Sequence, residues 1–211
     1  MEVFDHEIGF FENCAPILSA NCPKVPIVKC FATNSETGII YMEDLKVKNF
    51  TAMIRCIADL KENVLSMEHI YLVAKTLARF HAASYEIDWV EKFPTVFAED
   101  VMFEKNDGTL MKNFIRQSGE KTLVPLTKHH FQGNERLLKS SLWFTTEEFF
   151  QALVDICKPK QKGLNVLCHG DCWVNNMMFK TDPDSGKPLE IKLIDFQLCR
   201  FTHGSTDLMD F

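Results

Sequence analysis

Phe4, Ile8, Phe11 and Ala15, with Glu7 among them, recur every three or four residues, which predicts a helix from Phe4 to Leu18 with one inward face and Pro16 near its end. Pro23 and Pro26 interrupt that pattern. The apolar runs Pro26 to Ala32 and Gly38 to Met42, parted by the turn residues Thr33 to Thr37, predict a hairpin that ends at Glu43-Asp44-Leu45. A weaker helical pattern covers Phe50 to Leu60. Ser66 then stands as an N-cap, with Glu68 favouring the positive end of the helix dipole, before Ile70, Val73, Leu77, Phe80 and Ser84, whose period predicts a long helix to about Glu86. Phe93 to Gln132 mixes aromatics with Gly108, Gly119 and Pro125, a pattern of short helices and loops. Thr145-Thr146-Glu147-Glu148 is a capping box for a helix through Phe149, Leu153, Ile156 and Cys157, which Pro159 stops. Leu164 to Cys168, Met177 to Lys180 and Leu189 to Ile194 read as strands, the last two joined by the polar turn Asp182 to Pro188.

These elements define an α+β chain without internal repeats. Its 211 residues, 46% of them hydrophobic, suffice for a substantial core. A net charge of −6 with no Lys/Arg stripe argues against a nucleic-acid or anionic-membrane partner. Eight cysteines suggest a disulfide scaffold, but the sequence from Met1 to Glu7 has no basic segment followed by an apolar one, as a secretory signal requires. With no apolar run near the ~18 residues needed to span a bilayer, the expectation is a cytoplasmic chain whose cysteines act as small buried hydrophobes. Cys168, His169 and Cys172 also raise a zinc reading; structural zinc ordinarily takes two closely spaced ligand pairs, and only one such Cys pair is present.

The densest chemistry lies in His169-Gly170-Asp171, with Asn176 five residues after Asp171, and in Leu193-Ile194-Asp195-Phe196. Taken alone, His169-Gly170-Asp171 is a polar turn leaving a strand. In combination the three sites match what kinase-type phosphoryl transfer needs: one carboxylate near the attacking hydroxyl, Asp171, and two oxygen ligands for magnesium, Asn176 and Asp195.

The stretches Cys168 to Lys180 and Ile191 to Arg200 strongly resemble the ecdysteroid-kinase-like proteins, relatives of choline kinases and aminoglycoside phosphotransferases within the protein-kinase-like fold. The resemblance implies that Asp171 is the catalytic base, Asn176 a magnesium ligand and Asp195 the main metal ligand, with ATP and Mg2+ as cofactors. Gln197 stands where protein kinases carry glycine, which fits this family and not a protein kinase. Weaker likenesses extend upstream. Ile39 to Leu45 resembles the hinge strand whose backbone holds adenine, which would assign Met42, Glu43, Asp44 and Leu45 to the nucleotide; on its own it reads as an amphipathic strand end. Phe4 to Phe11 resembles the helix whose glutamate pairs with a phosphate-binding lysine, and Glu7 would be that glutamate; as bare sequence Glu7 reads as a solvated charge. Leu77 to Ala82 resembles the helix beneath the catalytic loop, with His81 a satisfied core residue, and Asp207 matches an aspartate that braces the site.

The resemblance divides the chain into a partial N-lobe, residues 1–45, and an incomplete C-lobe, residues 46–211. No G-x-G-x-x-G is present, and Lys24 and Lys29 follow Glu7 where the fold wants the lysine before it, so the expectation is a chain truncated at both ends. The implied activity is an ATP- and Mg-dependent phosphotransferase acting on a hydroxyl of a small molecule, an ecdysteroid or sterol-like alcohol; the alternative is an inert kinase-like fragment that at most binds nucleotide or a protein partner.

Overall fold

The computed structural model describes residues 2–53, 65–104 and 108–210. Two compact units emerge, Met1–Ala98 with Pro159–Phe211, and Glu99–Lys158.

The first unit opens with α1 (Glu2–Gly9), a π-type segment (Phe10–Cys14) and α2 (Ala15–Asn21). The helical run reaches Asn21, past the expected Leu18, and Pro16 does not interrupt it. That residue sits in the first turn of α2, just after the wider π-type winding in which the Ala15 amide reaches back to the Phe10 carbonyl, so proline's missing N–H breaks nothing. The extra residue in the turn also rotates the inward face, and Phe10 and Phe11 are both buried in succession. Phe4, expected on that face, is exposed.

β1 (Cys30–Asn34) and β2 (Ile39–Met42) form an antiparallel hairpin whose turn is closed by Asn34 Oδ1 accepting from the Thr37 amide at 3.0 Å. Phe50 to Leu60 was expected to be helical, yet β3 (Phe50–Ala52) is a strand, and residues 54–60 of that expectation lie outside the described residues. The partner that extends β3 lies at Met178 to Lys180, far along the chain, where no local periodicity can register it. α3 (Met67–Ser84) starts as expected, with Ser66 Oγ accepting from the His69 amide, and buries Val73, Leu77, Phe80 and Ser84. α4 (Trp89–Lys92) and α5 (Pro94–Phe97) follow.

The second unit is helical: α6 (Thr109–Ser118), a π-type segment (Gly119–Leu123), α7 (Val124–His130), α8 (Glu135–Trp143) and α9 (Glu147–Cys157). Asn134 caps α8 and Thr146 caps α9, each accepting from the amide three residues on.

The chain then returns to the first unit with β4 (Asn165–Cys168), β5 (Met177–Thr181), β6 (Pro188–Leu193), β7 (Arg200–His203) and α10 (Ser205–Asp210). The sheets run β3-β5-β6 and β4-β7, all antiparallel. Pro26 to Val28, expected to begin the first hairpin strand, instead leaves it: Ile27 bridges Leu193, and the Leu193 amide donates to the Pro26 carbonyl at 2.7 Å. Phe10, Phe80, Trp89, Leu167, Phe179, Leu193 and Phe196 fill the core between α1–α3 and these strands. The architecture is α+β, with an N-terminal sheet region and a mostly helical C-terminal region that carries the β5-β6 hairpin. Among the described residues no helix is long and apolar enough to cross a membrane.

Candidate functional site

The segment after β4 is shaped by backbone sterics and one buried carboxylate. Gly170 has φ +81, and a Cβ there would lie 1.9 Å from the Leu198 carbonyl oxygen, so glycine alone lets the two loops touch. Asp207, at the start of α10 and wholly buried, accepts from the His169 amide at 2.8 Å, the Gly170 amide at 2.9 Å and His81 Nε2 at 2.7 Å. Burial pushes its carboxyl up, but the hydrogen bond and charge of His81, with the Gly170 amide, outweigh this and hold it below the usual carboxylate range. Asp207 is the expected brace and His81 the expected satisfied core histidine. The ring of His169 is buried as well, and its Nε2 lies 2.9 Å from the Ile194 carbonyl, which requires the proton on that nitrogen.

Asp171 leaves this loop half-buried, and the 3-10 turn Val174–Asn176 returns Asn176 beneath it. Asn176 Nδ2 donates to Asp171 Oδ2 at 2.8 Å and to the Asp171 carbonyl at 3.0 Å. The amide thereby fixes the carboxylate through its Nδ2 and does not use its Oδ1 in that pair.

Asp195 follows β6 in a left-handed conformation, φ 65, uncommon for a residue with a side chain. The next residues are gripped from α1. Glu7 Oε1 accepts from the Phe196 amide at 3.1 Å, and His6 Nε2 meets the Cys199 carbonyl at 2.6 Å. The Phe196 ring stacks on Phe10 with centroids 4.0 Å apart and planes 8° from parallel. Burial lifts the Asp195 carboxyl above its ordinary value; His169 opposes the shift and Asp171 adds to it. Burial also lifts Glu7, against the Phe196 hydrogen bond and with help from Asp195. Asp171, Asp195 and Glu7 thus form a chain of mutually repelling carboxylates, an arrangement a bound cation relieves.

A cleft of about 480 Å³ lies beside Asp195 and is lined by Glu7, Met42, Glu43, Asp44 and Leu45, with Val28, Met178 and Ile194 as apolar walls. The four residues assigned to the nucleotide by resemblance, Met42 to Leu45, and the glutamate assigned to a phosphate-binding lysine, Glu7, therefore face one cavity together with Asp195. Asp171 and Asn176 do not line it; the negative charge of Asp171 adds to the upward shift of the Asp195 carboxyl, which does. Among the described residues, Glu7 accepts a hydrogen bond from a backbone amide, that of Phe196. The oxygens of Asn176 and Asp195 are the hard donors magnesium prefers, so the residues present fit that ion. His6, Val28 and Met178 escaped sequence reasoning: Val28 and Met178 look like ordinary core residues, and the contact of His6 spans 193 positions.

His81, Cys168 and Asp207 place ligand-type atoms within 4.8 Å of one another. Asp207 already accepts three hydrogen bonds. Burial pushes the Cys168 thiol far up, so it stays protonated and points at the Thr202 and His203 carbonyls. This cluster is a hydrogen-bonded brace.

A search of curated proteins gave no significant match. The architecture, an N-terminal sheet region followed by a mostly helical region with the loop-bearing hairpin, is protein-kinase-like. The family model described as ecdysteroid kinase-like matches residues 1–211, the full length of the chain, and this protein belongs to that family.

Proposed function

We propose that the chain is an ATP- and Mg2+-dependent phosphotransferase acting on a hydroxyl of a small molecule, an ecdysteroid or sterol-like alcohol by family resemblance. Asp171 orients the hydroxyl and accepts its proton as transfer proceeds, held in place by Asn176. Asn176 and Asp195 hold magnesium, which supplies the charge neutralisation that phosphoryl transfer requires. The backbone from Met42 to Leu45, with the apolar walls Val28 and Met178, receives the adenine, and residues 1–45 act as the N-lobe against 46–211. The observation that carries this reading is the fixed Asp171–Asn176 pair in charge contact with Asp195 at the edge of the cleft.

The test is thermal unfolding of the chain with and without Mg-ATP, alongside Asp195→Asn. The expected result is a magnesium-dependent rise in melting temperature that the variant loses; ligand at about a hundredfold its Kd adds about 2.7 kcal/mol. Because Asp195 has a raised carboxyl pKa, its ionised form weakens the fold above that pKa. The variant is therefore expected to melt higher than wild type without ligand at neutral pH. A melt of the wild type that is indifferent to Mg-ATP refutes the proposal.

A further inference from the structure

The loop after Asp195 is held by the N-terminal helical run through three kinds of contact. On α1, Glu7 accepts from the Phe196 amide and His6 Nε2 meets the Cys199 carbonyl, and Phe10, the first residue of the π-type segment that follows, stacks on the Phe196 ring. The loop closes on itself between those two anchors, with the Cys199 amide donating to the Phe196 carbonyl at 3.1 Å. On its far side Leu198 presses on Gly170. Asp195, in its left-handed conformation, sits directly before the first anchor.

We infer that Glu7 and His6 form a backbone clamp that positions Asp195 for metal binding, and that Glu7 does this as a hydrogen-bond acceptor. The inference rests on the reading of Asp195 as a metal ligand. A residue of positive φ keeps that conformation only when its surroundings over-determine it. Releasing the Phe196 amide frees the peptide that follows Asp195, and the carboxylate then samples directions unsuited to the ion. An acceptor need not be charged: a carboxamide oxygen at the Glu7 position meets the same N–H. A glutamate that served only as the partner of a cation would have no such tolerance. This makes Glu7 and His6 positioning residues, acting through the backbone of Asp195 to Cys199.

The experiment compares Glu7→Gln, Glu7→Ala and His6→Phe with wild type in two readouts. The first is hydrogen exchange at the Phe196 amide in the chain alone, which needs no ligand. Glu7→Ala is expected to speed exchange tenfold or more, Glu7→Gln to stay within about threefold of wild type, and His6→Phe to speed exchange of the Cys199 amide more than that of Phe196. The second is Mn2+ affinity in the presence of ATP, read from the loss of the free-ion paramagnetic signal. Glu7→Ala and His6→Phe are expected to weaken it about tenfold, with Glu7→Gln recovering most of the loss. Glu7→Gln behaving like Glu7→Ala in the exchange readout overturns the clamp, as does unchanged exchange in Glu7→Ala. If Glu7→Ala fails to fold, His6→Phe and Glu7→Gln decide the same question. Wild type that binds no Mn2+ with ATP refutes the metal role of Asp195, and with it the functional half of the inference, while the exchange comparison still decides whether the clamp exists.

Discussion

Replacing Asp207 with asparagine tests whether the loop before Asp171 is held by one carboxylate. In the native chain both carboxylate oxygens are used, Oδ1 by the Gly170 amide and Oδ2 by the His169 amide and His81. Asparagine keeps one acceptor oxygen and presents an NH2 to at least one donor, leaving buried N–H groups unsatisfied where the side chain has no exposed surface. A hydrogen bond to a charged group contributes about 1.5–3 kcal/mol, and a stranded buried donor costs about 1–3 kcal/mol. These terms overlap, so the expected loss is about 2–4 kcal/mol, a large fraction of the ~5–15 kcal/mol that ordinary domains possess. For a chain of this size the melting temperature should fall by roughly 4–16 °C. The assay is urea unfolding of wild type and Asp207→Asn across a pH series. Because the Asp207 carboxyl is held below its ordinary value, its contribution is fully present above the unfolded pKa of about 3.9 and is lost as pH falls through the native value. The gap between the two proteins should therefore be constant from neutral pH to about pH 5 and close below about pH 4. A loss under 1 kcal/mol at pH 7, or a gap that persists unchanged into acid, refutes the bracing argument.

Gly170→Ala should be at least as damaging, since the new methyl meets a carbonyl oxygen at 1.9 Å and the residue is forced to keep φ +81. The measurement is again urea unfolding, with a loss above about 2 kcal/mol expected; a neutral effect would show that the Gly170–Leu198 approach is not needed. The described cysteines should divide by burial when treated with a thiol reagent under native conditions: Cys22, Cys30 and Cys157 react, whereas Cys14, Cys168, Cys172 and Cys199 react only on unfolding. Mass mapping of the labelled sites checks this, and rapid labelling of Cys199 would contradict its burial, which also drives its thiol pKa far up.

Local sequence determined the elements whose signals are local. Ser66 and Thr146 cap α3 and α9 because the acceptor and the amide it serves are three residues apart, and the 3.6-residue period of Val73, Leu77 and Phe80 survives in any tertiary context. The same holds for the Asp171–Asn176 pair, whose hydrogen bond spans five residues. What the sequence could not settle was decided by partners far away in the chain. Phe50 to Ala52 is a strand because β5 supplies its hydrogen bonds, and Pro26 to Val28 leaves the hairpin because β6 takes it. Glu7 reads as a solvated charge until the Phe196 amide arrives 189 positions later, and Phe10, outside the expected inward face, is buried against the same distant residue, whose ring it stacks on. The sequence by itself determined which groups can do chemistry and where short-range geometry holds them, since capping, period and the Asp171–Asn176 hydrogen bond are properties of a few consecutive residues. Only the tertiary structure decided which of those groups share the cleft beside Asp195, because burial, carboxylate repulsion and backbone clamping exist only once distant segments are packed together.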